Sequence, residues 1–85
     1  MKKITSMEEL KEALELEGEV IEGFILLNGG IRSSKSMCNL GDNKYSIINE
    51  VDDNEQFLSF EELNDNTKTN IGLAVTEGSF YIYGE

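Results

Sequence analysis

The sequence predicts an α+β fold, a small antiparallel sheet with an N-terminal helix and one or two short helices packed on it. Two serine-headed capping motifs each begin a helical pattern, and glycine-rich turns separate runs of β-branched and aromatic residues. The chain has 85 residues with no sign of an internal linker. We therefore expect residues 1–85 to form one domain.

The first element is an amphipathic helix. Residues 6–9 read Ser-Met-Glu-Glu, the form of a capping box in which a serine oxygen and a glutamate carboxylate accept early backbone N–H groups. Apolar residues then recur at helical spacing as far as Gly18, which favours a helix end. The pattern predicts a helix over residues 7–17. Its outer face carries three glutamates, Glu8, Glu12 and Glu15.

Three strands follow the helix. Residues 20–27 are rich in β-branched and aromatic side chains, and Asn-Gly-Gly comes directly after them. Strands over residues 32–39 and 44–51 are separated by Gly-Asp-Asn, a second turn signal. Short turns join antiparallel neighbours, so the sequence predicts a three-stranded meander.

The C-terminal third alternates between turns and short elements. Residues 52–55 predict a polar turn, and residues 56–58 a short extended piece. A second capping-box pattern predicts a helix over residues 60–65, and another helix runs from Asn70 to a stop at Gly78. Residues 80–83 predict a final strand, which completes the sheet.

The charge limits the partners of this protein. Asp and Glu number 17 against 7 Lys and Arg, the net charge is −10, and there is no histidine. Phosphate and anionic lipid are bound through Lys and Arg, so we expect neither direct nucleic acid binding nor membrane binding. The longest apolar run, residues 24–27, is far too short for a membrane helix, and no signal peptide is visible. The single Cys38 suits a reducing compartment, so we expect a cytoplasmic protein.

No pattern predicts an enzyme, a cofactor or a metal. Without histidine there is no Ser-His-Asp triad and no imidazole ligand. Asp52, Asn54 and Gln56 begin like a calcium loop, but Phe57 stands where the loop needs glycine and Leu63 where it needs an acid. Cys38 has only Met37 and Asn39 beside it and no nearby pattern of cations, which favours a buried structural thiol over a reactive one.

One basic cluster interrupts the acidic chain. Residues 28–35 resemble a phosphate-binding loop, but no glycine directly precedes the lysine and no helix follows. The cluster is either a strand whose charges resist edge-to-edge aggregation or a contact site for a small anion or carboxylate. Tyr81 and Tyr83 share one face of the last strand, either packed beside another strand or anchoring an interface. This alternative interface comprises Arg32, Ser33, Ser34, Lys35, Tyr81 and Tyr83.

The acidic residues form the principal candidate site. Residues 45–67 contain seven acidic side chains and no Lys or Arg. Carboxylates spaced like backbone phosphates can substitute for nucleic acid in a basic groove, although high acidity also serves solubility alone. The candidate partner-binding residues are Glu50, Asp52, Asp53, Glu55, Glu61, Glu62 and Asp65, with Glu8, Glu12 and Glu15 as a second patch.

Two resemblances bear on function. The segments 24–35, 48–53 and 70–72, with Gly78, resemble a family of small uncharacterised proteins from bacteria, plasmids and phages, over about two-thirds of the chain. In size, acidity and lack of catalytic residues the chain is also similar to phage inhibitors of host defence such as anti-CRISPR proteins. That similarity implies a non-enzymatic inhibitor that covers the basic groove of a host nucleic-acid-binding effector.

The alternative function is an antitoxin-like or immunity-like module that binds a protein through the basic cluster and the tyrosines. The two hypotheses differ in salt dependence, because a carboxylate–cation interface is screened by salt and an aromatic interface is not. The oligomeric state is open, and a dimer is compatible with either function.

Overall fold

A computed structural model describes residues 1–83 and contains a six-stranded antiparallel sheet. Its strands are β1 (Lys2–Lys3), β2 (Val20–Leu27), β3 (Gly30–Gly41), β4 (Lys44–Asn49), β5 (Asn54–Leu58) and β6 (Phe80–Ile82). Two α-helices, α1 (Met7–Ala13) and α2 (Ile71–Glu77), and a 3₁₀ helix (Glu61–Asn64) complete it. The strands lie in the order β1-β6-β2-β3-β4-β5. No helix within residues 1–83 is long and apolar enough to cross a membrane.

The predicted sheet, a three-stranded meander plus a C-terminal strand, is wrong, although the α+β class holds. β5 pairs antiparallel with β4 and adds a fourth strand to the meander, so Asn54 and Glu55 lie in a strand rather than in the predicted turn. β1 pairs with β6 at the other edge. Two lysines carry no strand propensity of their own, and the pairing depends on the free edge that β6 offers.

The first helix ends four residues before the predicted position, at Ala13 rather than residue 17. The side-chain amide of Asn39 donates to the Leu14 carbonyl at 2.8 Å, and the Asn39 carbonyl accepts from the Gly18 N–H at 2.8 Å. A partner on β3 therefore takes the chain out of the helix before the glycine is reached.

The second capping box is confirmed, but it starts a 3₁₀ helix. The Ser59 N–H donates to Glu62 at 2.9 Å, and the Ser59 hydroxyl accepts from the Glu62 N–H at 3.2 Å. Asp65 is extended, so the turn stops at Asn64. The predicted helix over residues 60–65 is thus shorter and more tightly wound than expected.

The core lies between one face of the sheet and the helices. Leu10 from α1 and Ile71 from α2 are fully buried there, together with Met37 and Phe80 from the strands. Alternate strand residues point to the opposite face, and no helix of residues 1–83 packs against it. We call this second surface the open face.

The open face has its own small aromatic cluster. Phe24 is fully buried, yet it lies outside the main core. Its ring stacks on Tyr81 with centroids 5.6 Å apart and contacts Tyr83 at 4.7 Å. The tyrosines therefore shield one end of the open face, whereas Val20 and Phe57 on the same face are more than half exposed.

Candidate functional site

The turn between β4 and β5, with the strand residues that flank it, forms an acidic hairpin, residues 49–55. The Asn49 side-chain oxygen accepts from the Val51 N–H at 3.1 Å, and the Asp52 carboxylate accepts from the Asn54 N–H at 3.0 Å. These two local hydrogen bonds order a turn that also contains Asp53. The turn therefore presents its carboxylates on an ordered backbone.

Two serines hold the other carboxylates of the acidic hairpin over the open face. The Ser36 hydroxyl donates to Glu50 at 2.8 Å, and the Ser46 hydroxyl donates to Glu55 at 2.7 Å. Hydrogen bonds to an ionised acceptor are the stronger kind. Neither serine was identified as part of the site from the sequence. The available signal was that polar residues alternate with apolar ones in parts of β3 and β4, which indicates one polar face.

The predicted acidic residues Glu61 and Glu62 serve local structure at the 3₁₀ helix. Glu61 accepts from the Asn43 side-chain amide at 2.8 Å, which lowers the pKa of Glu61. The Ser59 N–H, and to a lesser degree Lys68 at 3.5 Å, lowers the pKa of Glu62. Both carboxylates are therefore partly occupied within the protein.

The predicted acidic stretch divides into two groups. Asp65 accepts from the hydroxyl and N–H of Thr67, and these hydrogen bonds lower the pKa of Asp65. Glu55, the last carboxylate of the acidic hairpin, lies near the start of β5, and the 3₁₀ helix follows Leu58, so the rest of β5, about 10 Å at ~3.3 Å per residue, separates the groups. Seven residues that are close in sequence are thus not one surface.

The glutamates of α1, with Glu15 just after it, make a separate, mixed surface. Glu8, Glu12 and Glu15 are exposed and line a shallow depression with Lys11. The Lys11 ammonium lies 5.2 Å from the Phe60 ring centroid, within the range of a cation–π interaction. A cation in its centre makes this patch a weaker substitute for phosphate than the acidic hairpin.

The structure separates the residues of the alternative interface. Lys35 is only 5% exposed and lies on the helix-covered face, whereas Arg32 is exposed and its guanidinium donates to the Ile31 carbonyl at 3.2 Å. Ser33 has a φ of +51°, at a bulge where the pairing with β2 shifts register. Tyr81 and Tyr83 lie on the open face. The basic cluster and the tyrosines therefore do not form one surface.

Cysteine and metal chemistry have little support in the geometry. Cys38 is half-buried rather than fully buried, and its Sγ lies 3.8 Å from the Asn39 carbonyl oxygen. Within residues 1–83, no three Cys, Asp or Glu side chains are placed to hold a metal ion. The acidic hairpin remains the most coherent candidate surface.

The fold and this surface define only a broad structural class, that of α+β proteins whose antiparallel sheet is covered by helices on one face. No protein-family model, no curated protein and no solved structure matches the chain. The residues of this chain and their arrangement are therefore the basis for inferring its function.

Proposed function

We propose that this protein is a non-enzymatic inhibitor that binds a basic, nucleic-acid-binding groove of a larger host protein through its acidic hairpin. The observation that supports this proposal is the grouping of Glu50, Asp52, Asp53 and Glu55 on one hairpin, within a segment that has no Lys or Arg from residue 45 to 67. Two of the four carboxylates are held by serine hydroxyls.

Ordered carboxylates favour binding for two physical reasons. Side chains that are already held in place lose less conformational entropy on association. A groove lined with Lys and Arg also releases its bound anions when carboxylates take their place. The same release occurs when the groove binds phosphates spaced about 3.4 Å apart along a strand. Binding should therefore weaken steeply with salt.

An apolar contact adds to the electrostatic attraction. Val51 is at the tip of the acidic hairpin and is 77% exposed. An exposed branched side chain surrounded by acids fits a protein surface with a small apolar depression among cations. Burying it would add an apolar contact that phosphate groups cannot make, which gives the inhibitor an advantage over a bound phosphate backbone.

The biological setting belongs to the same proposal. Small size, acidity and the resemblance to phage, plasmid and bacterial proteins favour a phage or mobile-element inhibitor of host defence, of the anti-CRISPR type. Such an inhibitor acts in the cytoplasm, where its target binds nucleic acid. The protein would act by occupation of the groove and would need no cofactor.

The test compares two triple variants with the same change in net charge. Asp52→Asn, Asp53→Asn and Glu55→Gln remove three charges from the acidic hairpin and keep side chains that can accept the same hydrogen bonds. Glu19→Gln, Glu77→Gln and Asp42→Asn remove three charges elsewhere, and asparagine tolerates the positive φ of Asp42 and Asp53. Host proteins captured at low salt are then assayed for nucleic acid binding in the presence of each variant.

We expect the unchanged protein and the second variant to displace nucleic acid from the captured target. The hairpin variant should bind about tenfold or more weakly, with a shallower dependence of affinity on salt. Equal inhibition by the two variants, or simultaneous binding of inhibitor and nucleic acid, would contradict the proposal.

The open face supports the second candidate, an antitoxin-like or immunity-like module. Tyr83 is 46% exposed, beside the shielded Phe24, and Val20 is 60% exposed on the same face. Arg32 and Lys35 are not part of this surface, so the module would rely on the tyrosines. Affinity that is insensitive to salt and is lost in Tyr83→Ala would favour this function over groove inhibition.

A further inference from the structure

A polar recess lies at the end of the sheet on its helix-covered face. It has a volume of about 350 Å³ and is bounded by β3, β4, β5 and the loop that joins the 3₁₀ helix to α2. Its lining is made of side chains with amide, hydroxyl or ammonium groups: Lys35, Asn49, Asn54, Gln56, Asn66, Thr67, Lys68, Thr69 and Asn70. We call this the Lys35 recess.

Lys35 is the buried cation of this recess. The side chain is 5% exposed, and neither of the two ion pairs found within residues 1–83 includes it. Burial lowers the pKa of Lys35, and the more distant charge of Asp52 offsets this only in part. No carboxylate of residues 1–83 forms an ion pair with the Lys35 ammonium, so the partial desolvation of this charge is not compensated by a close counter-ion.

Most of the other side chains that line the recess are neutral and carry hydrogen-bonding groups. The side-chain nitrogens of Gln56 and Asn70 already donate to the Lys68 carbonyl and the Ser33 hydroxyl. In the described part of the chain, the side-chain nitrogens of Asn49 and Asn54 donate to no protein acceptor, and both residues line the recess. A cation and two unused amide donors therefore border the same space.

We propose that the Lys35 recess binds the carboxylate of a small polar molecule of about amino-acid size. The Lys35 ammonium would pair with the carboxylate, and the amides of Asn49 and Asn54 would donate to its oxygens. The volume lies near the lower end of the range for small-molecule sites, roughly 300–1,000 Å³.

The charge of the recess favours a carboxylate over a phosphate. A phosphate dianion is normally bound by several cations or by a helix N-terminus. Lys68, the second lysine of the lining, pairs with Glu62 at 3.5 Å, and the protein as a whole is strongly acidic. One available ammonium matches one negative charge.

This site uses other side chains than the proposed inhibitor function, although Asn49 and Asn54 of the acidic hairpin line the recess and the charge of Asp52 acts on Lys35. The Lys35 recess is on the helix-covered face, whereas Glu50 and Glu55 are held on the open face. The carboxylate measurement also needs no protein partner. The two proposals can therefore fail separately, because carboxylate binding is measured on the chain alone and groove binding by the displacement of nucleic acid from a target.

The test is an amide NMR titration of the full chain at pH 7 and constant ionic strength. The probes are acetate and N-acetylglycine, with acetamide and N-acetylglycinamide as neutral counterparts of the same shape, and inorganic phosphate as the competing anion. We expect saturable shifts at the backbone amides of Asn49, Asn54 and Thr69 with Kd values on the order of millimolar, and no saturation with the neutral counterparts.

Variants assign the binding to the recess. Lys35→Met keeps an unbranched side chain that is one atom shorter and removes its charge, and Lys44→Met does the same at an exposed lysine of β4. Lys35→Met should raise the Kd for N-acetylglycine about tenfold or more, with no change for Lys44→Met. Asn54→Ala keeps Lys35 and should weaken binding severalfold, which retains a test should the first variant fold poorly.

Three results would overturn the assignment. The first is the absence of saturable shifts with either carboxylate up to about 50 mM, which is far above a millimolar Kd. The second is an equal affinity for N-acetylglycine in Lys35→Met and in the unchanged protein. The third is tighter binding of phosphate than of both carboxylates. Spectra of the free variants show whether the fold is intact before each comparison.

Discussion

The side-chain amide of Asn39 donates a 2.8 Å hydrogen bond to the backbone carbonyl of Leu14, 25 positions earlier in the chain. Leu14 is the C-cap of α1, where a carbonyl has no partner within the helix. The same asparagine accepts from the Gly41 N–H through its side-chain oxygen. One residue of β3 thus ends the first helix and shapes the turn between β3 and β4.

Replacement of Asn39 by alanine should destabilise the fold. Asn39→Ala removes both hydrogen bonds and leaves a part-buried carbonyl without its donor, so we expect a loss of about 1–3 kcal/mol in the free energy of unfolding. Urea denaturation measures it. Asn66→Ala, at an exposed asparagine, is the control and should change stability by less than about 0.5 kcal/mol. Similar losses of stability in both variants would contradict a specific contribution of the two Asn39 hydrogen bonds.

Replacement of Gly72 by alanine should destabilise the protein, although alanine is usually preferred to glycine within a helix. In an open helix, Gly→Ala stabilises by about 1 kcal/mol, but a Cβ at Gly72 would approach the Asn64 Cα to 2.7 Å and collide with the Asn64 side-chain oxygen. The 3₁₀ helix would have to move away from α2. We expect Gly72→Ala to destabilise by about 1–3 kcal/mol in denaturant melts. Thr76→Ala, exposed on α2, should be nearly neutral, and a stabilised Gly72→Ala would contradict the close packing.

The Glu62 carboxylate should contribute stability that disappears in acid. Its pKa in the folded protein lies below the ordinary value of 4.5, because the Ser59 N–H and Lys68 favour the ionised form. The contribution is therefore complete above pH 4.5 and is lost as the pH falls through the lowered pKa. Thermal melts should show Glu62→Gln less stable than the unchanged protein at pH 7, and the two equal in strong acid. Glu77→Gln, which removes one negative charge from an exposed position of α2, is the control for the change in net charge.

Lys35 should have the opposite relation to pH. Its pKa is below the ordinary value of 10.5, so its desolvation cost is complete at neutral pH and is relieved as the pH rises through the lowered pKa towards 10.5. Without ligand, Lys35→Met should be more stable than the unchanged protein by about 1 kcal/mol at pH 7. Melts between pH 7 and 10.5 should show this difference shrinking. A difference that is constant with pH, or equal to that of Lys44→Met, would argue against a buried charge.

Elements with local signals could be predicted from the sequence. β2 occupies the predicted residues 20–27, and α1 begins at Met7 behind Ser6, whose hydroxyl accepts from the Glu9 N–H at 3.1 Å. The turn after β2 also falls where Asn-Gly-Gly stands. Capping boxes and glycine turns depend on groups a few residues apart, so a short stretch of sequence is enough to specify them.

Elements that depend on distant partners could not be predicted in this way. β1 is a strand because Lys2 and Lys3 pair with β6, almost eighty residues later, and polar β5 is a strand because β4 offers it an edge. Part of the prediction of the candidate site was wrong for the same reason. Proximity in sequence grouped Glu55 with Glu61, but the strand between them carries the two carboxylates to different ends of the sheet.

The α+β class, the helix starts, the tight turns and the strong acidity follow from residue type or from neighbours along the chain, so they can be read from the sequence. The six-stranded order, the early end of α1, the split of the acidic stretch and the burial of Lys35 become visible only in the folded protein. Each of these depends on which distant residues meet across the sheet. The basic cluster shows this most clearly, since a bulge at Ser33 leaves Arg32 exposed and Lys35 buried in a polar recess.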